Sequence, residues 1–350
     1  MSSPAGEGEG GVAEGTSPAG DRPGLPRTFL EAIREALQEE MERDENVVLL
    51  GEDIGAYGGA FKVTEGLQER FGARRVIDTP ISEAGFTAAA AGAGHMGLRP
   101  VVEMQFMDFI YPAVDVITNY LATSLYRGSG SMPVVLRGPS GGGNRGGPFH
   151  SQNVEMLFFH TPGLKIVYPS TPGDAKGLLK ASIRDDNPVI FQEHKSLYRD
   201  PSLREVLPDA DAVISLGEAR RVREGSDLTV VTYGMMVHRT LDVARTLSRD
   251  EGVEVDVLDL RTLLPLDEDA IVKSVRKTGK LLVVHEDTRT GGIAGEIAMR
   301  VNERAFEWLD GPVLRVTAAD TPVPYAGTLE DAVLPRPSDI AAAITYLARY

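Results

Sequence analysis

Cysteine is absent from this 350-residue chain, and tryptophan occurs once. The missing thiols exclude disulfides, thiolate catalysis and Cys-ligated zinc or iron–sulfur centres. Positive charge is in the minority. The 36 Lys and Arg face 51 Asp and Glu, a formal net charge of −15, which argues against a nucleic-acid binder that gains affinity by neutralising phosphates. No long apolar run exists either: the longest stretch without a charged side chain, Ala84 to Leu98, is rich in Gly and Ala and too short to cross a bilayer. An apolar share of 42% over this length is enough for two buried cores.

Residues 1–24 read as a disordered tail, because Val12 is their only branched apolar side chain. They lack an apolar signal core, and four acids against one Arg are wrong for a transit peptide. A soluble, cytoplasmic protein is the expectation.

From Thr28 onward an αβ rhythm sets in. Phe29, Ile33, Leu37 and Met41 stand four apart, the stripe of an amphipathic helix with Thr28 as its N-cap. Apolar runs at NVVLLGED, RVIDTP, RPVVEMQF, MPVVLRGP, LKIVYPS and NPVIFQE read as strands, with helices expected at 82–96, 111–126 and 172–183. A polar seam carrying Pro201 and Pro208 follows, and then the rhythm restarts. The predicted fold is α/β: two doubly wound, mostly parallel-sheet domains, over 25–205 and 206–350.

Two motif matches fail on context. Gly92 to Gly97 spells GxGxxG but ends a helix and leads into a strand, whereas a dinucleotide fingerprint follows a strand and opens a helix. Gly138 to Gly142 spells GxSxG after a strand, yet the glycine-rich residues that follow cannot form the helix a nucleophile elbow requires. A serine hydrolase using Ser140 with His285 stands as the alternative from another class.

In a parallel sheet, ligands bind beyond the carboxyl ends of the strands. Glu52 and Asp53 end the first strand, Glu83 follows the next, and the Gly-rich loop from Arg137 to Phe149 delivers His150. The helix after Glu83 is nearly free of polar side chains, so burial there would raise the carboxyl pKa and suit it to share a proton near neutrality.

The segments LLGEDIGAYGGAFKVTEGL, RVIDTPISEAGF, GLRPVVEMQF, RGPSGGG, HSQNVE, PGLKIVYPSTPGDAKGLLKASIRDDNPVIF and VEVDVLDLRTLLPLD resemble the beta subunit of the thiamine-diphosphate-dependent first component of 2-oxo acid dehydrogenase complexes, in the transketolase superfamily. The likeness spans the chain from about Leu25 to its end. It implies a pyrimidine-binding domain followed by a transketolase C-terminal domain, in an α2β2 heterotetramer. In that family the coenzyme acts as electron sink. The resemblance implies that Glu83 hydrogen-bonds the aminopyrimidine and favours the tautomer that removes the thiazolium proton. It puts Glu52 near the pyrimidine, Phe109 packed on that ring, and His150 beside the reacting substrate or the acyl transfer. Phe109 stands where the branched-chain type often has tyrosine.

The resemblance also implies a potassium ion held by oxygens of Val134, Ser182, Ile183, Asp185 and Asn187, a donor set that suits a hard cation. Read alone, Asp185 to Pro188 is a turn before a strand. No Gly-Asp-Gly occurs in the chain, so the magnesium on the diphosphate is expected from an alpha subunit. The other implied partner is a lipoyl-bearing dihydrolipoyl acyltransferase; neither a nucleic acid nor a membrane is expected. The expected reaction is oxidative decarboxylation of a 2-oxo acid with acyl transfer to the lipoyl group. Branched-chain substrates such as 3-methyl-2-oxobutanoate are favoured, with pyruvate and acetoin as alternatives. A non-catalytic scaffold remains the last reading.

Overall fold

The computed structural model describes residues 24–350; the tail expected at 1–24 lies almost wholly outside the described residues. The first helix, α1 (Phe29–Arg43), opens on a reciprocal cap between Thr28 and Glu31 and buries Phe29, Ile33, Leu37 and Met41. There follow β1 (Val47–Gly51), α2 (Leu67–Phe71), β2 (Val76–Asp78), α3 (Glu83–His95), β3 (Arg99–Glu103), β4 (Val135–Ser140), α4 (Glu155–Phe159), β5 (Lys165–Val167), α5 (Pro172–Arg184) and β6 (Val189–His194). The second half contributes β7 (Arg220–Arg223), β8 (Leu228–Thr232), α6 (Met235–Glu251), β9 (Val255–Asp259), β10 (Thr262–Leu264) and α7 (Glu268–Thr278). It closes with β11 (Leu281–Thr288), α8 (Ala294–Ala305), β12 (Leu314–Ala318), α9 (Gly327–Val333) and α10 (Pro337–Ala348).

Two sheets result. The first has the order β10-β5-β6-β4-β3-β1-β2, and the second β12-β11-β8-β9-β7. All pairings are parallel except β10 on β5 and β7 on β9. The fully buried pattern of β1, β4, β6, β8 and β9 fits sheets covered on both faces.

One apolar core runs without a break from Phe86, Val102 and Leu136 of the first domain to Leu258, Ile271 and Val283 of the second. A second core lies between α1, α5 and the other face of the first sheet. A strand crosses between domains as well: β10 belongs by sequence to the second half, yet it extends the first sheet at its β5 edge.

The helix expected at 111–126 does not form as one α-helix. A 3₁₀ turn spans Met107–Ala113 and a π segment Val116–Leu121. Pro112 lies inside the first, where its missing N–H removes a rung of the ladder.

Candidate active site

Four neighbouring strands, β2-β1-β3-β4, point their carboxyl ends to one side of the first sheet. Glu52 follows β1, and Glu83 opens α3 just after β2. Glu52 is 7% exposed. Burial first, then the negative charges of Glu83 and Asp53, push its carboxyl above the ordinary value. The two glutamates therefore lie within electrostatic reach of each other. Neither carboxylate hydrogen-bonds or ion-pairs with another described residue.

The reading from sequence made Glu83 the desolvated member. The structure reverses this: Glu83 is half-buried and Glu52 is the enclosed one. The physical reason is the outward face of α3, where Ala88, Ala89 and Gly92 are exposed and too small to cover the carboxylate.

The 3₁₀ turn after β3 packs on α3 and carries Phe109. Its ring meets His150 edge-on, with centroids 5.6 Å apart, and Phe106 does so at 4.6 Å. Nδ1 of His150 lies 3.2 Å from the Gly146 carbonyl. A carbonyl only accepts, so in the neutral ring Nδ1 carries the proton and Nε2 remains an acceptor. Beside His150 opens a cavity of about 620 Å³, walled by Phe61 and Phe106 on one side and Lys195 and Arg199 on another. Burial pulls Lys195 down to about 8.

The second domain holds the loop that delivers His150. Glu286, on β11, accepts the Gly142 N–H at 2.6 Å. Glu330, on α9, accepts the N–H of Gly143 at 2.7 Å and of Arg145 at 3.1 Å, and pairs with the Arg145 guanidinium. Gly141 sits at φ +81°, and a Cβ there would lie 2.3 Å from His194 Nε2, so only glycine fits. Sequence reasoning missed both carboxylates. Glu286 had a signal, since it lies near the carboxyl end of a parallel strand like Glu52; Glu330 had none.

Beneath the site, Arg137 on β4 bonds Glu193 of β6 with Nε and Nη2, each at 2.6 Å, and also reaches Glu103 of β3. Tyr198 donates to Glu193 at 2.6 Å. This buried network ties three strand ends together below the loop.

The hydrolase alternative fails on geometry. Ser140 is fully buried, and its Oγ donates to the Tyr168 hydroxyl at 2.8 Å rather than to a histidine. His285 is buried with neither ring nitrogen hydrogen-bonded, stacked on Tyr233. No Ser–His pair exists there.

The expected potassium ligands are near one another, but oxygens of Val134, Ser182, Ile183 and Asp185 already accept hydrogen bonds. Nη1 of Arg99 donates to the carbonyls of Ile183 at 3.0 Å and Asp185 at 3.1 Å. Lys165 binds the Asp185 carboxylate, whose other oxygen accepts from the Asn187 N–H at 2.9 Å. Val134 and Ser182 give their carbonyls to the backbone N–H groups of Val189 and Asp185. With two cationic side chains already on them, these oxygens do not form an open cage for a hard cation.

Tandem parallel-sheet domains, with free carboxylates at the strand ends of the first, define a protein of the transketolase type. Residues 26–201 match the transketolase pyrimidine binding domain and residues 217–340 the transketolase C-terminal domain. The chain is 47% identical over 326 residues to the 2-oxoisovalerate dehydrogenase subunit beta of Bacillus subtilis (strain 168), covering 92% of this chain and 99% of the relative. It is 46% identical over 315 residues to the pyruvate dehydrogenase E1 component subunit beta of the same organism, covering 89% and 96%. The chain belongs to the family of beta subunits of the thiamine-diphosphate-dependent 2-oxo acid dehydrogenase E1 components. A solved structure described as a split gene transketolase, inactive beta4 tetramer, shares the fold with a TM-score of 0.74 at 22% identity, over 92% of this chain and 98% of that one.

Proposed function

We propose that this chain supplies the pyrimidine half of a thiamine-diphosphate site in an α2β2 heterotetramer. The reading is oxidative decarboxylation of a branched-chain 2-oxo acid, such as 3-methyl-2-oxobutanoate, with transfer of the acyl group to the lipoyl arm of an acyltransferase. The observation that carries it is the proximity of Glu52 and Glu83, two carboxyls with no partner among the described residues, at strand ends near which Phe109 and His150 also meet. Such a pair fits a ligand ring that offers nitrogen for hydrogen bonding and a flat face for an aromatic.

Bound thiamine diphosphate supplies the electron sink for loss of carbon dioxide. The protein's part is orientation and proton management. Glu83 would offer its carboxyl group to a ring nitrogen of the pyrimidine. Glu52, whose carboxyl is raised by burial and by the charge of Glu83, would lie close enough to bias the proton balance of the pair electrostatically. Phe109 would present an aromatic face to the ring. His150 offers Nε2 to the substrate side of the site.

An alpha subunit would complete the site and supply the residues that hold magnesium on the diphosphate. The surface around α3 supports such a partner. Ile81, Met96 and Tyr126 are 83%, 83% and 96% exposed, beside a helix face of Gly85, Ala88, Ala89 and Gly92 that lets another backbone approach closely. The branched-chain reading rests on the likeness of VEMQFMDFIYPAVD, SGGGNRGG and HSQ to that type, from which Phe109 departs. The test is co-expression with an alpha chain, followed by carbon dioxide release from 3-methyl-2-oxobutanoate, pyruvate and acetoin. A Glu83→Gln complex assembles and loses at least about 10²-fold in rate; wild-type turnover by it refutes the assignment.

A further inference from the structure

The His150 ring makes one hydrogen bond, and that bond lies inside its own loop. Its place above the sheet is therefore set by whatever holds the loop. Before the histidine the anchors are Glu286, Glu330 and the Lys195 ammonium, which donates to the Gly141 carbonyl. After it the next two backbone N–H groups are held by a single carboxylate, while the Tyr111 hydroxyl donates to Gln152 Oε1 at 2.9 Å. Asp108 Oδ1 accepts the N–H of Ser151 at 2.9 Å and of Gln152 at 3.0 Å, the two residues that follow His150. The Gly141 N–H closes the neck by donating to the Gln152 carbonyl at 3.1 Å.

Asp108 is 6% exposed, and its second oxygen is buried with no hydrogen-bond partner. A carboxylate desolvated to this degree is expensive for two backbone bonds that water would otherwise make. Its location gives the expense a purpose. Asp108 and Phe109 are adjacent in the same 3₁₀ turn, preceded by Phe106, and both rings meet the imidazole. One turn thus holds the backbone behind His150 and the aromatic face in front of it.

We propose that Asp108 is a positioning residue for His150, fixing the separation between that imidazole and the Phe109 face of the coenzyme site. The proposal rests on the functional reading above. Asp108 acts only through the backbone of the loop.

The test compares Asp108→Ala, Asp108→Asn, His150→Ala and the Asp108→Ala/His150→Ala double variant, each co-expressed with the alpha chain. The readout is carbon dioxide release from 3-methyl-2-oxobutanoate and from pyruvate. A misplacement of about 1 Å lowers rates by about 10²-fold, so Asp108→Ala loses about that in kcat with little change in KM. Asp108→Asn, which keeps an oxygen acceptor, recovers most of it. In the His150→Ala background the Asp108→Ala change adds less than about 3-fold, because both act through one group.

A second arm needs no activity. The full chain is labelled with ¹³C at its six histidines, and Asp108→Ala shifts the His150 resonance alone, while Asp108→Asn restores it. If Asp108→Ala unfolds, every histidine resonance moves, and Asp108→Ser carries the same comparison. Additive losses in the double variant, or an unmoved His150 resonance, overturn the proposal. A wild-type complex inactive on every 2-oxo acid sinks the functional reading instead and leaves the labelled chain to decide on Asp108.

Discussion

Asp259 ends β9 at the boundary with the first domain, fully buried, close to Asp174 of α5. Burial and then repulsion from Asp174 push its carboxyl up to about 7, against the Ser170 hydroxyl, the Arg220 charge and the Arg261 N–H, which favour the anion. A carboxyl that binds its proton more tightly in the folded state stabilises the fold below its folded pKa, and that contribution is lost as pH rises through about 7. Between pH 5.5 and 8.5 the loss from this one group comes to about 2 kcal/mol. Asp259→Asn removes the titration while keeping an acceptor for the Arg261 N–H, now 3.1 Å away. The assay is scanning calorimetry of both proteins at equal concentration across that range. The two melt alike near pH 5.5, and above pH 7 the variant becomes the more stable, by about 3 °C at pH 8.5. Curves that fall in parallel would refute the reasoning, since they would mean that Asp259 is ionised throughout.

Three further outcomes are expected. Arg137→Met strands Glu103 and Glu193 in the interior and lowers stability by about 3–5 kcal/mol; because burial already raises Glu103, the deficit measured by urea unfolding is smaller at pH 5.5 than at pH 8. Glu330→Ala frees the amides of Gly143 and Arg145, and hydrogen exchange there quickens by at least about tenfold, as loss of a charge-assisted bond requires; unchanged protection contradicts the clamp. Ser140→Ala removes one hydroxyl bond to Tyr168, costs about 1 kcal/mol and leaves decarboxylation intact, while a serine-directed phosphonate fails to label the wild type.

Local signals carried the reading from sequence a long way. The fourfold spacing of Phe29, Ile33, Leu37 and Met41 and the Thr28 cap are properties of adjacent residues, and they appear as read. One rule about strand ends in parallel sheets singled out Glu52, Glu83 and His150, while Phe109, which meets His150 edge-on, came only from the resemblance. What escaped depends on distant parts of the chain. Glu286 and Glu330 reach residues 144 and 187 positions away, and no local pattern announces such a contact. Pro112 in the 107–113 turn was a local signal against the long helix expected there. The relative burial of Glu52 and Glu83 turned on which face of a small-residue helix stays open, which composition does not reveal.

The antiparallel pairing of β10 with β5 makes the polypeptide beyond residue 260 a stitch through the other half. Cutting the gene at the polar seam to express either half alone would bare the edge of β5 and invite sheet-to-sheet clumping. The stitch also means that the two halves cannot part without breaking strand pairing.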